Sequence, residues 1–393
     1  MKEGWEEKKL GDICDFRSGF AFKSNKFTKI GEPIIRISDI QNEEIDDSNL
    51  VYFDPQSYTE DLSKYLIYPD DILIAMSGGT TGKLGINTSN RTFYLNQRVG
   101  VFRENKSYLN HRYLYHYLQT KSEESIRIAA GAAQPNLSTA QIKSFIIPVP
   151  PLSEQQRIVD YLDSAFAKID AMKANAEKSL NEAKALFQAS LKEMLEPKEG
   201  WEEKKMGDVG TFIRGGNFSK KDFVEDGYPC IHYGQIHTKF GVATFEHLSC
   251  VPETMVKKER CASKGDLVIA ITSEDDEGSC KCTAWMADYD AYVGGHTAIF
   301  KHNLNPIYVS YYFKAARFQK DKLDYTHGFK VVEISPKDIA KIPICYPSAE
   351  EQQRIVATLD SLKSKVDRLQ ENYDKISQEC DALKQAILRQ VFE

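Results

Sequence analysis

The chain has 393 residues, 41% hydrophobic and 27% charged, with a formal net charge of −6. That length holds two to three domains, each with its own core, and the composition excludes a wholly disordered chain. The 51 Lys and Arg against 57 Asp and Glu, taken alone, argue against a nucleic-acid partner. No run approaches the ~18–20 apolar residues of a membrane span, and no apolar signal segment follows Met1. Eight cysteines are too few and too irregular for a disulfide framework. Reduced thiols in a cytoplasmic protein are expected.

The chain is written twice. Residues 2–12 read KEGWEEKKLGD and residues 198–208 read KEGWEEKKMGD, with Leu10 against Met206 as the single difference. The register continues inward at an offset of 196. Phe16, Gly19, Pro33 and Ile40 meet Phe212, Gly215, Pro229 and Ile236. It fades in the middle and returns as EQQRIV, beginning at Glu154 and again at Glu351.

In chain order, DILIAMSGG (71–79) and VGVF (99–102) read as strands. NHRYLYHYLQT (110–120) has apolar residues at helical spacing after an Asn-containing turn. From Leu152 to Leu195 there is no Gly or Pro, which predicts one long helix. Its seam runs Ile158, Leu162, Ala165, Ile169, Met172 and Ala176, then Ser179, Ala183, Leu186 and Ser190; it is made of smaller residues and slips toward Leu180, Phe187 and Leu191. In the second copy GDLVIAITSE (265–274) and TAIF (297–300) read as strands, and PIYVSYYFKAARF (306–318) as a helix. Ser348 to Glu393 again lacks Gly and Pro. Its seam is Ile355, Leu359, Leu362, Val366, Leu369, Tyr373, Ile376, Cys380, Leu383 and Ile387, in alternating steps of four and three. That is a heptad pattern.

The expected fold class is α+β or α/β. Two β-rich regions (1–149 and 198–347) are separated by long helices (150–197 and 348–393). A large-residue seam facing a small-residue seam suits an antiparallel two-helix coiled coil. Each helix would be about 65 Å long, too thin to stand alone. Such pairing relates the two regions by an approximate two-fold axis, as in dimeric readers of DNA.

The arrangement resembles the DNA-specificity subunit of Type I restriction–modification systems. The resemblance rests on the GWEEKKLGD and GWEEKKMGD openings, on PVPPLSEQQRIV and YPSAEEQQRIV leading into the long helices, and on the order domain–helix–domain–helix. It covers the whole chain. It implies two target-recognition domains held apart on a coiled coil and a bipartite double-stranded DNA target. It implies two adenine-N6 methyltransferase subunits as partners, with restriction (translocase) subunits joining through them, and no membrane. This chain would supply recognition and no chemistry. S-adenosylmethionine, ATP and Mg would belong to the partner subunits.

Base edges and phosphates are read by polar and basic side chains on loops and helix ends. In the first region the candidates are Arg36, Ser38 and Gln41; Ser77, Thr80, Thr81 and Lys83 in SGGTTGK; Gln97 and Arg98; and Gln134 and Asn136. In the second they are His232, Tyr233, Gln235, His237, Thr238 and Lys239 in HYGQIHTK, with Ser273, His296 and Lys330. Gln97 and Arg98 fall near His296 and Thr297 in the repeat register. A polar hairpin turn is the plain alternative for 77–83, and a solvated strand end for 232–239.

Position 84 is Leu, so SGGTTGK is not a nucleotide-binding loop. Cys261, Cys280 and Cys282 with His296 fit no common zinc spacing, and no metal is expected. The run 274–277 (EDDE) reads as a solvated acidic loop. No methyltransferase or nuclease motif is present. A coiled-coil scaffold that binds proteins through two β-rich domains is the competing class. By region the net charge is −1 for 1–149, −2 for 150–197, −1 for 198–347 and −2 for 348–393. The β-rich regions are near neutral, so a local basic face is compatible with DNA.

Overall fold

The computed structural model describes residues 4–41, 43–130, 136–328 and 331–392. Four helices organise it: α1 (His111–Thr120), α2 (Leu152–Leu195), α3 (Pro306–Tyr312) and α4 (Ala349–Phe392). Residues 1–175 with 374–393 form one compact unit, and residues 176–373 form the other. Each unit therefore contains one β-rich region and part of each long helix.

In the first unit the described residues form a sheet ordered Cys14–Ser18, Val99–Glu104, Ile72–Ala75, Leu84–Ile86, Glu44–Ile45, Ile40–Gln41. A second sheet runs Phe27–Thr28, Val51–Phe53, Glu32–Ile35, Phe93–Leu95, Leu66–Ile67. The second unit repeats the plan. One sheet runs Gly210–Arg214, Thr297–His302, Leu267–Ala270, Cys282–Trp285, Ala243–Thr244, and the other Ser249–Val251, Tyr228–Ile231, Ala291–Val293, Cys261–Ala262. Central strands such as Ile72–Ala75 and Leu267–Ala270 are buried along their whole length, which is why they read as unbroken apolar runs.

The repeated sequence ends build the junction of each region with its helix. Glu6–Lys9 pairs antiparallel with Ile146–Val149, and Glu202–Lys205 with Pro343–Tyr346. Tyr113 and Tyr117 of α1 donate to the carbonyls of Pro148 and Ile146 on the closing strand, both at 2.8 Å. Tyr308 and Tyr312 of α3 do the same to Cys345 and Pro343, at 2.9 and 3.3 Å. His116 Nε2 meets Asp163 of α2 at 2.8 Å, and Tyr311 donates to Asp360 of α4 at 2.7 Å. The paired glycines are packing requirements. A Cβ on Gly19 would lie 2.0 Å from the Leu95 carbonyl oxygen, and one on Gly215 would lie 2.0 Å from that of Gly294.

Two expectations change. The run 306–318 is not one helix: α3 ends at Tyr312 and a short helix restarts at Ala316, with Ala315 extended between them. The break lets the Phe313 and Phe318 rings pack 4.2 Å apart. The heptad seam is also corrected. Ile158, Leu162 and Ile169 are buried, as are Ile355, Leu359 and Val366, and Leu362, Leu369, Ile376 and Ile387 are half-buried. Met172, however, is 60% exposed and Leu383 is 49% exposed.

Among the buried residues of α2, Ile158, Ile169, Leu180 and Leu191 recur eleven apart. On α4 Ile355, Val366 and Leu388 fall on the same spacing. A helix near 3.6 residues per turn drifts about 20° per heptad, and an eleven-residue repeat follows its face more closely. The positions that replace Met172 and Leu383 are Lys173 and Lys384. Lys173 Nζ lies 3.3 Å from Asp381, and Lys384 Nζ lies 2.6 Å from Asp170. Within the second unit, Lys184 donates to Gln370 at 2.8 Å.

Candidate nucleic-acid interface

The sheet register aligns the two repeats residue by residue. Ala75 pairs with Val99, and Ala270 with Thr297. The Met76 N–H donates to Arg98 O, and the Ile271 N–H donates to His296 O. Arg98 thus corresponds to His296, and Gln97 to Gly295, one residue away from the expected match with Thr297. Ser77 bridges Asn136 where Thr272 pairs with Glu333. Ser18 lies opposite Gly100 where Arg214 lies opposite Ala298.

In the first unit Gln97, Arg98 and Asn136, all exposed, line one concavity of about 550 Å³ with Ser18, Ser138 and Thr139. Ser138 also caps the short helix after it by accepting the Gln141 N–H, so the concavity has a fixed floor. Gln41 and Lys83 line a separate cleft. Gln134 and Lys330 lie outside the described residues.

In the second unit the rings of His232, His237 and His296 surround Tyr233, at 4.4, 6.1 and 5.4 Å. His296 is exposed, and its φ of 62° projects it from a tight turn. His237 Nε2 donates to Thr272 O at 3.1 Å, which ties this cluster to the strand carrying Ser273. Thr238 and Lys239 are exposed beside it.

Several candidate readers are buried or make contacts within the fold. Ser77 and Thr81 are buried, and the Thr81 hydroxyl donates to Gly78 O at 2.7 Å. Thr80 Oγ1 is buried as well. Arg36 binds both carboxylate oxygens of Asp39, at 3.1 and 3.0 Å, and the carbonyl of Asn49 at 3.1 Å. Ser38 donates to Asp39 at 2.8 Å. His232 is buried, and its Nδ1 accepts the Gly234 N–H at 3.1 Å. Burial lowers its pKa, and Lys220 and His296 nearby lower it further, so the neutral acceptor form is favoured. Gln235 accepts the His232 N–H at 2.9 Å and donates to Ser249 at 2.7 Å.

The reason is local. His232 with Gln235 forms a reciprocal capping arrangement, and at the same place in the first repeat Asp39 accepts the Arg36 backbone N–H at 2.9 Å while the Arg36 guanidinium, which has no acceptor, donates to the same carboxylate. These polar residues follow strands because they start the next helical turn. Arg214, held by Glu333 at 3.2 Å, stands where the first repeat has Ser18 and is a candidate the sequence reading does not name. Its signal was the Ser18/Arg214 difference just before the matched glycines.

Cys280 and Cys282 are buried, and burial pushes both thiols up to about 12. They are inert packing groups. Among the described residues no cluster of three or more His, Cys, Asp or Glu stands ready for a metal ion. Among the described residues no helix is long and apolar enough to cross a membrane.

The family model for the Type I restriction modification DNA specificity domain matches twice, at residues 2–182 and 198–378. A Methanocaldococcus jannaschii protein ascribed to the type I restriction enzyme MjaX as its specificity subunit is 27% identical over 388 residues. That match covers 92% of this chain and 87% of that one. The specificity subunit of the type I restriction enzyme EcoKI from Escherichia coli is 24% identical over 421 residues, covering 100% of this chain and 89% of the relative. A solved chain from a type I R-M system has the same fold, with a TM-score of 0.74 at 20% identity over 98% of this chain and 97% of that one. The chain therefore belongs to the Type I restriction–modification DNA specificity family, and it is a recognition subunit without catalytic chemistry.

Proposed function

We propose that residues 1–149 and 198–347 are two target-recognition domains, each reading one half-site of a bipartite, asymmetric double-stranded DNA target. The observation that carries this reading is the chemical difference at equivalent positions. Ser18, Arg98 and Asn136 in one repeat correspond to Arg214, His296 and Glu333 in the other. Arg and Asn suit guanine and adenine edges, and Glu accepts from a cytosine amino group. Gln97 joins the first set, and Tyr233, His237, Thr238, Lys239 and Ser273 the second. Gln41 and Lys83 suit phosphate contacts.

The segments 150–197 and 348–393 pair antiparallel and set the spacer. Within the first unit the contacts 170/384 and 173/381 run in opposite chain directions, which supports that pairing. Two adenine-N6 methyltransferase subunits dock on this frame, and restriction subunits join through them. S-adenosylmethionine, ATP and Mg belong to those partners. Near-neutral recognition domains bind weakly alone, because phosphate neutralisation supplies most non-specific affinity.

Methylome sequencing of cells with and without this gene tests the reading. A bipartite motif methylated on one adenine per half-site, on opposite strands, is the expected result. Loss of an undivided motif, or of none, overturns it.

A further inference from the structure

Each repeat carries the same cleft, and the two copies differ in charge. In the first unit a cleft of about 340 Å³ is lined by Gln41, Glu43, Lys83, Tyr115, Gln119 and Gln385. The Tyr115 hydroxyl donates to Glu43 at 2.9 Å, and Gln119 donates to the same carboxylate at 3.1 Å. In the second unit the cleft is larger, about 470 Å³.

The backbone register identifies the replacements. The Ile86 N–H donates to Glu43 O, and the Ala284 N–H donates to Val242 O, so Val242 replaces Glu43. The Asn110 and Asn305 helix caps align Tyr115 with Ser310 and Gln119 with Lys314. The Ala75 and Ala270 N–H groups donate to Lys83 O and Lys281 O, so lysine is kept there. The helix repeat adds Lys363 where the first repeat has Phe166. The second cleft has thus exchanged the Glu43 carboxylate for that of Glu277, lost a tyrosine and gained two lysines.

We infer that this second cleft, lined by Lys281, Lys314 and Lys363 together with Phe187, Phe240 and Phe313, binds a small nucleoside phosphate. The three ammonium groups supply the phosphate site. Lys314 titrates below the ordinary lysine range because it is desolvated and faces Lys363 and Lys281. An anion placed among them relieves that repulsion. Lys363 also pairs with Asp367 on its own helix, which leaves the cleft cationic on balance. Phe240, the half-buried phenylalanine of the lining, suits a base, with Phe187 and Phe313 buried behind the wall. Glu277, also on the rim, suits the amino group of adenine. The volume falls within the about 300–1,000 Å³ of small-molecule sites, and such sites combine an apolar wall with a few polar groups.

AMP titrated into the purified full-length chain, followed by calorimetry, tests the inference, with adenosine and inorganic phosphate titrated in parallel. Saturable AMP binding is expected, with adenosine and phosphate each at least tenfold weaker. Lys314→Gln, which installs the first repeat's residue, is expected to weaken AMP binding at least tenfold, and Lys314→Gln with Lys281→Gln to abolish it. Lys83→Gln in the first cleft is expected to leave it unchanged. Thermal unfolding confirms that each variant is folded. Absence of saturable AMP binding to the unsubstituted chain overturns the inference, as does equal affinity in the folded double variant. If Lys314→Gln instead lowers only the salt dependence of duplex binding by the assembled complex, the cleft is a DNA-backbone contact and the inference also fails.

Discussion

The side-chain oxygen of Gln155 accepts the backbone N–H of Asn110 at 2.8 Å, the residue that caps α1. Its amide donates to the carbonyls of Tyr108 and Pro150 at 2.7 and 2.9 Å. In the other repeat Gln352 accepts from Asn305 at 2.9 Å and donates to Pro347 at 2.9 Å. Both glutamines are buried. EQQRIV returns in both halves because its first glutamine fastens the β-rich region to the start of the long helix. A partner need not touch it.

Gln155→Leu and Gln352→Leu should each destabilise their unit by about 1–3 kcal/mol, because polar backbone groups are left buried and unpaired. Gln156→Ala, one residue further along an exposed face, should cost well under about 1 kcal/mol. Urea unfolding of the three variants measures this. Equal losses would show that the bonds of Gln155 and Gln352 carry no particular weight.

The corrected helix stripe makes a second prediction. Ile169→Ala should cost about 2–5 kcal/mol, as a buried aliphatic deletion does. Met172→Lys, on the heptad but on the exposed side, should fall within about 0.5 kcal/mol of the unsubstituted chain. Lys384→Met should cost no more than about 1 kcal/mol, because the Lys384–Asp170 pair is half-exposed and solvent-screened. Chemical denaturation distinguishes the two stripes. A large loss in Met172→Lys would restore the heptad.

These comparisons show what local sequence carries. The long helices, the strand 72–75 and the repeat were legible because each depends on a continuous stretch: absence of Gly and Pro, an unbroken apolar run, an identity at fixed offset. Met172 was misread because heptad and eleven-residue spacing differ by one position only after several turns. The contacts that Arg36 and His232 make within the fold are not legible in the sequence for another reason. A capping box and a recognition loop use the same polar residue types, and only the partners Asp39 and Gln235 separate them. The concavity at Arg98 and Asn136 was half legible. Both residues were named, but their meeting with Ser18 depends on strand pairing across about 80–120 residues.

Arg98 tests the division of labour between the domains. Arg98→Ala in the assembled methyltransferase should weaken binding to the full target by about 1–3 kcal/mol and relax one position of the first half-site, if its contact is to a base edge. His296→Ala should act on the second half-site alone. Methylation of substituted target duplexes reads both effects. A uniform loss across all sequences, with a salt slope reduced by about one, would reassign Arg98 to phosphate.

His302 gives a pH dependence with a definite sign. It ends the strand Thr297–His302, its ring lies 4.7 Å from that of Phe300, and burial holds its pKa down at about 4, from an ordinary 6.5. The nearby Asp266 pulls the other way and does not offset the burial. The folded chain therefore binds fewer protons at this site than the unfolded chain between those two values. Its neutral form is favoured, so stability is fully present above about pH 6.5 and falls as pH drops toward about 4. With a limiting slope of about 1.4 kcal/mol per pH unit, reached only below the unfolded value, His302 accounts for about 1.5 kcal/mol of loss between pH 6.5 and 5, above the main carboxylate range. His302→Phe removes this titration and should flatten the stability profile in that interval by a comparable amount. Urea unfolding of both proteins at pH 6.5, 5.8 and 5.0 measures the difference. An unchanged slope in His302→Phe would mean that the loss on acidification comes from other groups.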